Sequence, residues 1–160
     1  MVDIQIKDNF FTKKEFDIIK KNIHKIPYEP RKNHQGNFGF RHNFEKDSEN
    51  SWIFEKIKKI FFPNLDLEIF ECGYHLRHNK GTPMTHCDPT DYNFMLYIEG
   101  KELFYNGTGF YNNEKMLDRY VGFIENRALF FKGKEIFHTD LQALGESSPR
   151  YTLNIFYNNG

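Results

Sequence analysis

Cysteine and alanine are nearly absent from this chain of 160 residues, with two of each. Cys72 and Cys87 are too few to build a disulfide scaffold, so the expected setting is a reducing, cytoplasmic one. Scarce alanine argues against a helical bundle. Net charge is missing too: 22 Lys and Arg balance 22 Asp and Glu. No overall field therefore draws the chain to nucleic acid or to an anionic membrane, and any partner must be recognised locally. No stretch approaches the ~18 apolar residues that span a bilayer. The opening MVDIQIKDNF has charges where a signal peptide needs an apolar run. The sequence also lacks internal repeats and low-complexity tracts.

Aromatic side chains are abundant, at 18% of residues with eighteen Phe, a bias towards packed strands. The length suits one core and one domain over residues 1–160. Within it a helical front, about 1–64, precedes a strand-rich core, about 65–158. After a short alternating piece at Asp3 to Lys7, Thr12-Lys-Lys-Glu15 reads as a capping box, and Phe16, Ile19, Ile23 and Ile26 give the helix behind it one apolar stripe. A second helix is expected from about Asn50 to Ile60, with Trp52, Ile53, Phe54, Ile57 and Ile60 apolar and Pro63 as its stop. Between the helices, Arg31 to Asp47 is polar with two glycines and little period, and reads as a mobile loop. From Leu65 onward, short apolar or alternating runs are separated by turn signals. About eight strands are expected there, forming a two-sheet jelly roll. The fold class is mainly β with flanking helices (α+β), the N-terminal helices packed on one sheet.

The stretch MTHCDPTDYNF, Met84 to Phe94, carries the chemistry. In extended chain successive side chains alternate, so His86 and Asp88 project to one side and Cys87 to the other. A metal needs at least a third donor. His138 stands out because it follows the apolar run ALFF late in the strand-rich half, where a closing jelly roll brings late strands beside early ones. The other histidines have plainer explanations: His24 falls in a helix, His34 and His42 flank the polar loop, and His75 and His78 sit on the strand or turn before the motif. Two imidazoles and a carboxylate on one face of a metal, with the opposite positions open, is the arrangement of non-haem Fe(II) oxygenases.

His-x-Asp alone arises by chance in many proteins, and Arg150 adds a second signal. It opens the largely apolar run RYTLNIFY, twelve residues beyond His138, with no obvious acidic partner nearby in sequence. A guanidinium entering a core strand is costly unless something pairs with it. A small dicarboxylic acid would, because the planar fork of Arg matches a carboxylate. The alternative is a salt bridge to an Asp or Glu elsewhere in the chain.

Together these residues resemble the Fe(II)/2-oxoglutarate-dependent oxygenase superfamily, in particular its prolyl-hydroxylase-like branch. That family's signature of His-x-Asp, a distant His and then an Arg heading the last major strand reads here as His86-Cys87-Asp88, His138 and Arg150. FMLYIEG, Phe94 to Gly100, is similar to the strand whose Tyr reaches the cosubstrate, here Tyr97; NGTGFY resembles the glycine-pair strand, and RYTLNIFY the terminal Arg strand. The likeness covers roughly Phe70 to Tyr157. It implies Fe(II) on His86, Asp88 and His138, with 2-oxoglutarate chelating the metal and one position left for O2. The far carboxylate of 2-oxoglutarate would rest on Arg150, with Tyr97 and Thr152 as further donors and Tyr74 and Asn93 lining the pocket. The implied reaction hydroxylates a C–H bond and releases succinate and CO2. Glu99, Pro83 and the polar segment from Asn112 to Tyr120 depart from the family pattern and bear on the substrate. Branch membership implies a prolyl or other residue in a peptide or protein, over which, by analogy, the loop from Arg31 to Asp47 would close with Gly36 and Gly39 as hinges; a small molecule fits nearly as well. Nucleic acid is not expected, since Arg31, Lys32, Arg41 and His42 make only a modest cluster. Two alternatives stay open: a jelly-roll metalloenzyme using the same three ligands without 2-oxoglutarate, and a non-catalytic jelly-roll binding module. The oligomeric state is not legible.

Overall fold

Capping and apolar spacing place the two helices. In the computed structural model, which describes residues 3–33, 36–46, 49–77, 84–140 and 148–160, strand β1 (Ile4–Lys7) is followed by helix α1 (Lys13–Ile23). The Thr12 hydroxyl accepts from the Glu15 amide, and the Glu15 carboxylate accepts from the Thr12 amide at 2.7 Å, so two of the helix's orphan donors are satisfied at once. Lys20 and Lys21 in its last turn suit the negative end of the helix dipole. Phe16, Ile19 and Ile23 form the buried stripe, and Ile26 lies beyond the helix, partly buried against the same core. Helix α2 (Ser51–Phe61) buries Ile53, Ile57 and Phe61 while Ile60 is exposed, and it starts at Asn50 without a side-chain cap.

The segment between the helices is a correction to the loop reading. Strands β2 (Glu29–Asn33) and β3 (Gly36–Asn43) pair antiparallel, and β3 continues onto β4 (Leu67–Arg77), with Arg41 opposite His75. His34 and Asp47 lie outside the described residues. Glu71 of β4 accepts from Arg31, Arg41 and Asn43, so a carboxylate on the neighbouring strand ties down the polar residues that suggested a loop. Gly39 lies inside β3, opposite Arg31. Its φ of 141° sits beside a register shift, and a Cβ there would meet the Leu76 carbonyl oxygen at 2.9 Å.

The remaining strands are β5 (Tyr92–Gly100), β6 (Thr108–Tyr111), β7 (Leu117–Val121), β8 (Ala128–Lys132), β9 (Phe137–Asp140) and β10 (Arg150–Asn159). Seven strands, β4 to β10, are thus described where about eight were expected, and three more come from the front. They form a larger antiparallel sheet in the order β1-β8-β5-β10-β4-β3-β2 and a smaller one in the order β7-β6-β9.

Alternation along β5 separates two cores. Phe94, Leu96 and Ile98 join Tyr74, Leu153 and Ile155 and the buried faces of α1 and α2 in one cluster. Tyr97, on the opposite face, joins Leu129 and Phe131 of the larger sheet and Phe110 and Val121 of the smaller one. The space between the sheets, where Asn93, Met95 and Tyr97 project, is where the polar side chains collect.

Candidate metal centre and its cavity

His86 and His138 are brought together by backbone. The His86 amide donates to the His138 carbonyl at 3.1 Å and the His138 amide to that of His86 at 2.9 Å, a single antiparallel bridge that lays the first motif beside β9. The Asp88 amide then donates to Gly133 O at 3.0 Å, holding the second half of the motif to the turn after β8. The imidazoles lie 4.7 Å apart. Their Nδ1 atoms face carbonyls, His86 with Met84 O at 2.7 Å and His138 with Ile136 O at 3.1 Å. A carbonyl only accepts, so each Nδ1 carries the proton and each Nε2 keeps its lone pair. Those Nε2 atoms sit 3.5 Å and 3.2 Å from the two oxygens of Asp88. All three donor atoms fall within 4.8 Å of one another.

Asn93 fixes the carboxylate. Its Nδ2 donates to Asp88 Oδ2 at 2.5 Å, and its own Oδ1 accepts from Thr90 Oγ1 at 2.8 Å. Burial raises the Asp88 carboxyl, but contacts with His138 and His86 outweigh it and hold the group well below the usual carboxylate range. In the protonated ring the His86 Nε2 would donate to Asp88, and this raises His86 against the opposing effect of burial.

Arg41, Arg77 and Asp140 also line the cavity, and Arg150, which does not line it, meets it through Asp140. Arg150, 3% exposed, donates through Nη1 to the Asn106 and Gly107 carbonyls and through Nη2 to Asp140. Its guanidinium lies 5.6 Å from the Tyr97 ring. Arg77, opposite Arg150 in the β4–β10 register, reaches the other oxygen of Asp140 at 3.4 Å. Burial lowers Arg77 to about 9 and Arg150 to about 10. An acidic partner for Arg150 therefore does exist, ten residues earlier in the chain. The same alternation that pairs His86 with Asp88 puts Asp140 on the face of His138.

No known family model matches the sequence, and no curated protein matches it. Among solved structures, the non-heme alpha-ketoglutarate-dependent epimerase SnoN from nogalamycin biosynthesis superposes with a TM-score of 0.75 at 10% identity, over 98% of this chain and 78% of that one. A prolyl hydroxylase from Trichoplax adhaerens, solved with a peptide fragment of hypoxia inducible factor, gives 0.71 at 14% identity, covering 98% and 83%. HygX from Streptomyces hygroscopicus, with nickel, 2-oxoglutarate and hygromycin B bound, gives 0.71 at 10% identity, covering 98% and 82%. The chain has the fold of the Fe(II)/2-oxoglutarate oxygenases.

Two groups go with this oxygenase fold, and the donor set fits the first. Two neutral imidazoles and one carboxylate, each oriented by a second hydrogen bond, suit ferrous iron. For 2-oxoglutarate the telling atom is Arg150 Nε, which is buried and has no acceptor among the described residues. A carboxylate on the Nε–Nη2 edge would satisfy it.

The expected cosubstrate residues divide. Tyr97 is fully buried and donates to Thr108 Oγ1 at 2.7 Å, and Thr152 is buried opposite it in register. Asn93 lines the cavity but spends its amide on Asp88 and Thr90. Tyr74 is corrected: it points into the helix-side core, its ring 5.2 Å from Phe44. Its neighbour His75 faces the cavity instead, with Arg41, Arg77 and Asn154. Glu99 is taken up outside the cavity by Lys20 and His24. His42 bonds Pro27 O, and His78 and Pro83 lie outside the described residues. The cavity holds about 80 Å³, room for roughly five to eight waters.

Proposed function

We propose that this chain is a single-domain, non-haem Fe(II)- and 2-oxoglutarate-dependent dioxygenase over residues 1–160. In this reading it hydroxylates a C–H bond of a peptide, a protein residue or a small molecule, with release of succinate and CO2. The observation that carries the reading is the donor triad, three atoms within 4.8 Å with both imidazole Nε2 lone pairs turned to one carboxylate. The jelly roll would carry the two helices on its larger sheet, with the triad between the sheets. Among the solved neighbours, one holds a peptide and another hygromycin B, so both substrate classes have a precedent on this fold. A cytosolic setting goes with the free thiols of Cys72 and Cys87. Among the described residues no helix is long and apolar enough to cross a membrane, and neither a membrane nor a nucleic acid is proposed as partner.

When bound, the metal, 2-oxoglutarate and O2 supply the oxidising chemistry. The chain's own part is positional. His86, Asp88 and His138 would hold the metal, and Asn93 keeps the Asp88 carboxylate turned towards both imidazoles. Arg150 would take the far carboxylate of the cosubstrate on its Nε–Nη2 edge, which Asp140 now half covers. Asp140 would then keep Arg77 as its partner. Tyr97, already bonded to Thr108, and Thr152 would close that end of the pocket to water.

One observation favours the second reading, a metalloenzyme that uses the triad without 2-oxoglutarate: Asp140 already answers the charge of Arg150. Metal analysis of anaerobically purified protein, coupled with 2-oxoglutarate turnover, separates the two. Stoichiometric iron with succinate release is expected. Iron without any succinate would transfer the case to the second reading, and a chain that takes up no metal would sink both.

A further inference from the structure

The cavity wall also contains a buried pair that no metal or cosubstrate role explains. His75 and Asn154 are each 8% exposed, both line the cavity, and Asn154 Nδ2 contacts His75 Nδ1 at 2.5 Å. After that contact, His75 Nε2 and Asn154 Oδ1 have no hydrogen-bond partner among the described residues. Burial, reinforced by Arg41 and Arg77 nearby, holds His75 well below its ordinary range, so its ring is neutral. If Asn154 donates to Nδ1, the ring keeps an Nε2–H donor and Asn154 keeps an acceptor. With the amide turned over, the ring keeps an acceptor and Asn154 a donor. Either way the pair keeps one of each without a partner among the described residues, on side chains that line the cavity, with both atoms shielded from solvent.

The neighbouring cations each already contact a carboxylate, Glu71 being shared with Arg31 and Asp140 with Arg150. Arg41 is paired with Glu71 at 2.5 Å and Arg77 with Asp140 at 3.4 Å. The buried lining atoms without a partner among the described residues belong to neutral groups, and a ligand carboxylate would supply two acceptors and no donor. Burying such a pair without a partner costs more than its hydrogen bonds return, which makes it a site waiting for a complementary group. The geometry points to His75 and Asn154 as the residues that select the prime substrate, by recognising an uncharged carboxamide that offers a carbonyl and an N–H together. This inference rests on the dioxygenase reading and adds the chemical class of what is oxidised.

The test uses the full chain loaded anaerobically with Zn(II) and 2-oxoglutarate, and reads binding rather than turnover. The probes are the standard amino acids other than Asn, Gln and Pro with the α-amino group replaced by hydrogen, so that no second amide is present, every one as a matched primary amide, methyl ester and free acid. Titration by ligand-observed NMR should show at least one amide binding about tenfold to a hundredfold more tightly than its ester and its acid. Asn154→Leu should erase that preference while Zn(II) binding stays unchanged. Amide and ester binding alike, preference for the free acid, or no binding by any amide would each overturn the inference. So would a folded Asn154→Leu protein that keeps the preference; if the variant does not fold, the wild-type comparison still decides. Failure of the wild-type chain to take up Zn(II) or 2-oxoglutarate in the loading step would instead count against the dioxygenase reading.

Discussion

The metal triad and the arginine cluster around Asp140 are built on opposite terms. At the triad end, every group that could orient a donor is in place: carbonyls hold the two Nδ1 atoms and Asn93 holds Asp88. At the arginine end, the group that would bind the ligand already has an internal carboxylate on it, that of Asp140. A preset site binds without rearrangement. A site covered by its own carboxylate binds only what can displace it, so its affinity reports a difference between two ion pairs. The comparison can be broken at either end.

The largest effect is expected at the triad. Asp88→Ala or His86→Ala should abolish iron binding and turnover while circular dichroism and the thermal transition stay near wild type, because both side chains border a cavity. Retention of stoichiometric iron by both variants would break the account of this end. Arg150→Ala comes next. Losing a buried charge partner costs about 3–5 kcal/mol, so 2-oxoglutarate affinity should fall by roughly two to three and a half orders of magnitude in an anaerobic titration, with iron affinity little changed. Asn93→Ala removes only the group that orients Asp88, and metal affinity should drop about ten- to a hundredfold.

Asp140→Asn sharpens the contrast because its sign is opposite. Removing the competing charge should tighten 2-oxoglutarate binding by about tenfold. It should also lower the thermal midpoint of the ligand-free protein, since Arg150 and Arg77 lose their shared partner. Weaker binding in this variant would show that Asp140 supports the ligand instead of standing in its place.

The smallest effect lies in the hairpin of β2 and β3. Burial raises the Glu71 carboxyl, but the hydrogen bond from Arg41 and the charges around it hold it below the ordinary range. A depressed carboxyl contributes stability above its unfolded value of about 4.3, and that contribution is lost as pH falls through the lower folded value. Amide protection along β3 should therefore fall below about pH 4 before protection along β10 does. Glu71→Gln should remove the difference between the two pH profiles.

Much of the triad end was legible because its determinants are short-range. Alternation placed His86 and Asp88 on one side, and the capping box and apolar stripes placed the helices that share a core with the larger sheet. The arginine end depended on pairings the sequence does not display. Asp140 obeys the same alternation as His138, yet its bond to Arg150 forms only when β9 and the start of β10 meet across the sheets. Tyr74 and His75 differ by one position, and one position of register exchanges the two faces of a strand. Without the β4–β10 pairing, a tyrosine was as good a choice for the cavity as a histidine. The hairpin looked like a loop because an edge pair carries polar residues on both faces and needs no apolar period. Glu71, which holds it, lies on another strand.

The central claim is that one ligand is held on the metal and on Arg150 together, with Asp140 displaced from between them. Anaerobic calorimetric titration of 2-oxoglutarate into wild-type protein, with and without stoichiometric Fe(II), tests this most directly. If the ligand spans the two, saturable binding appears with Fe(II) present and weakens strongly without it. Arg150→Ala then weakens the Fe(II)-dependent binding that remains. Equal 2-oxoglutarate affinity with and without iron, or no binding in either case, would contradict the claim.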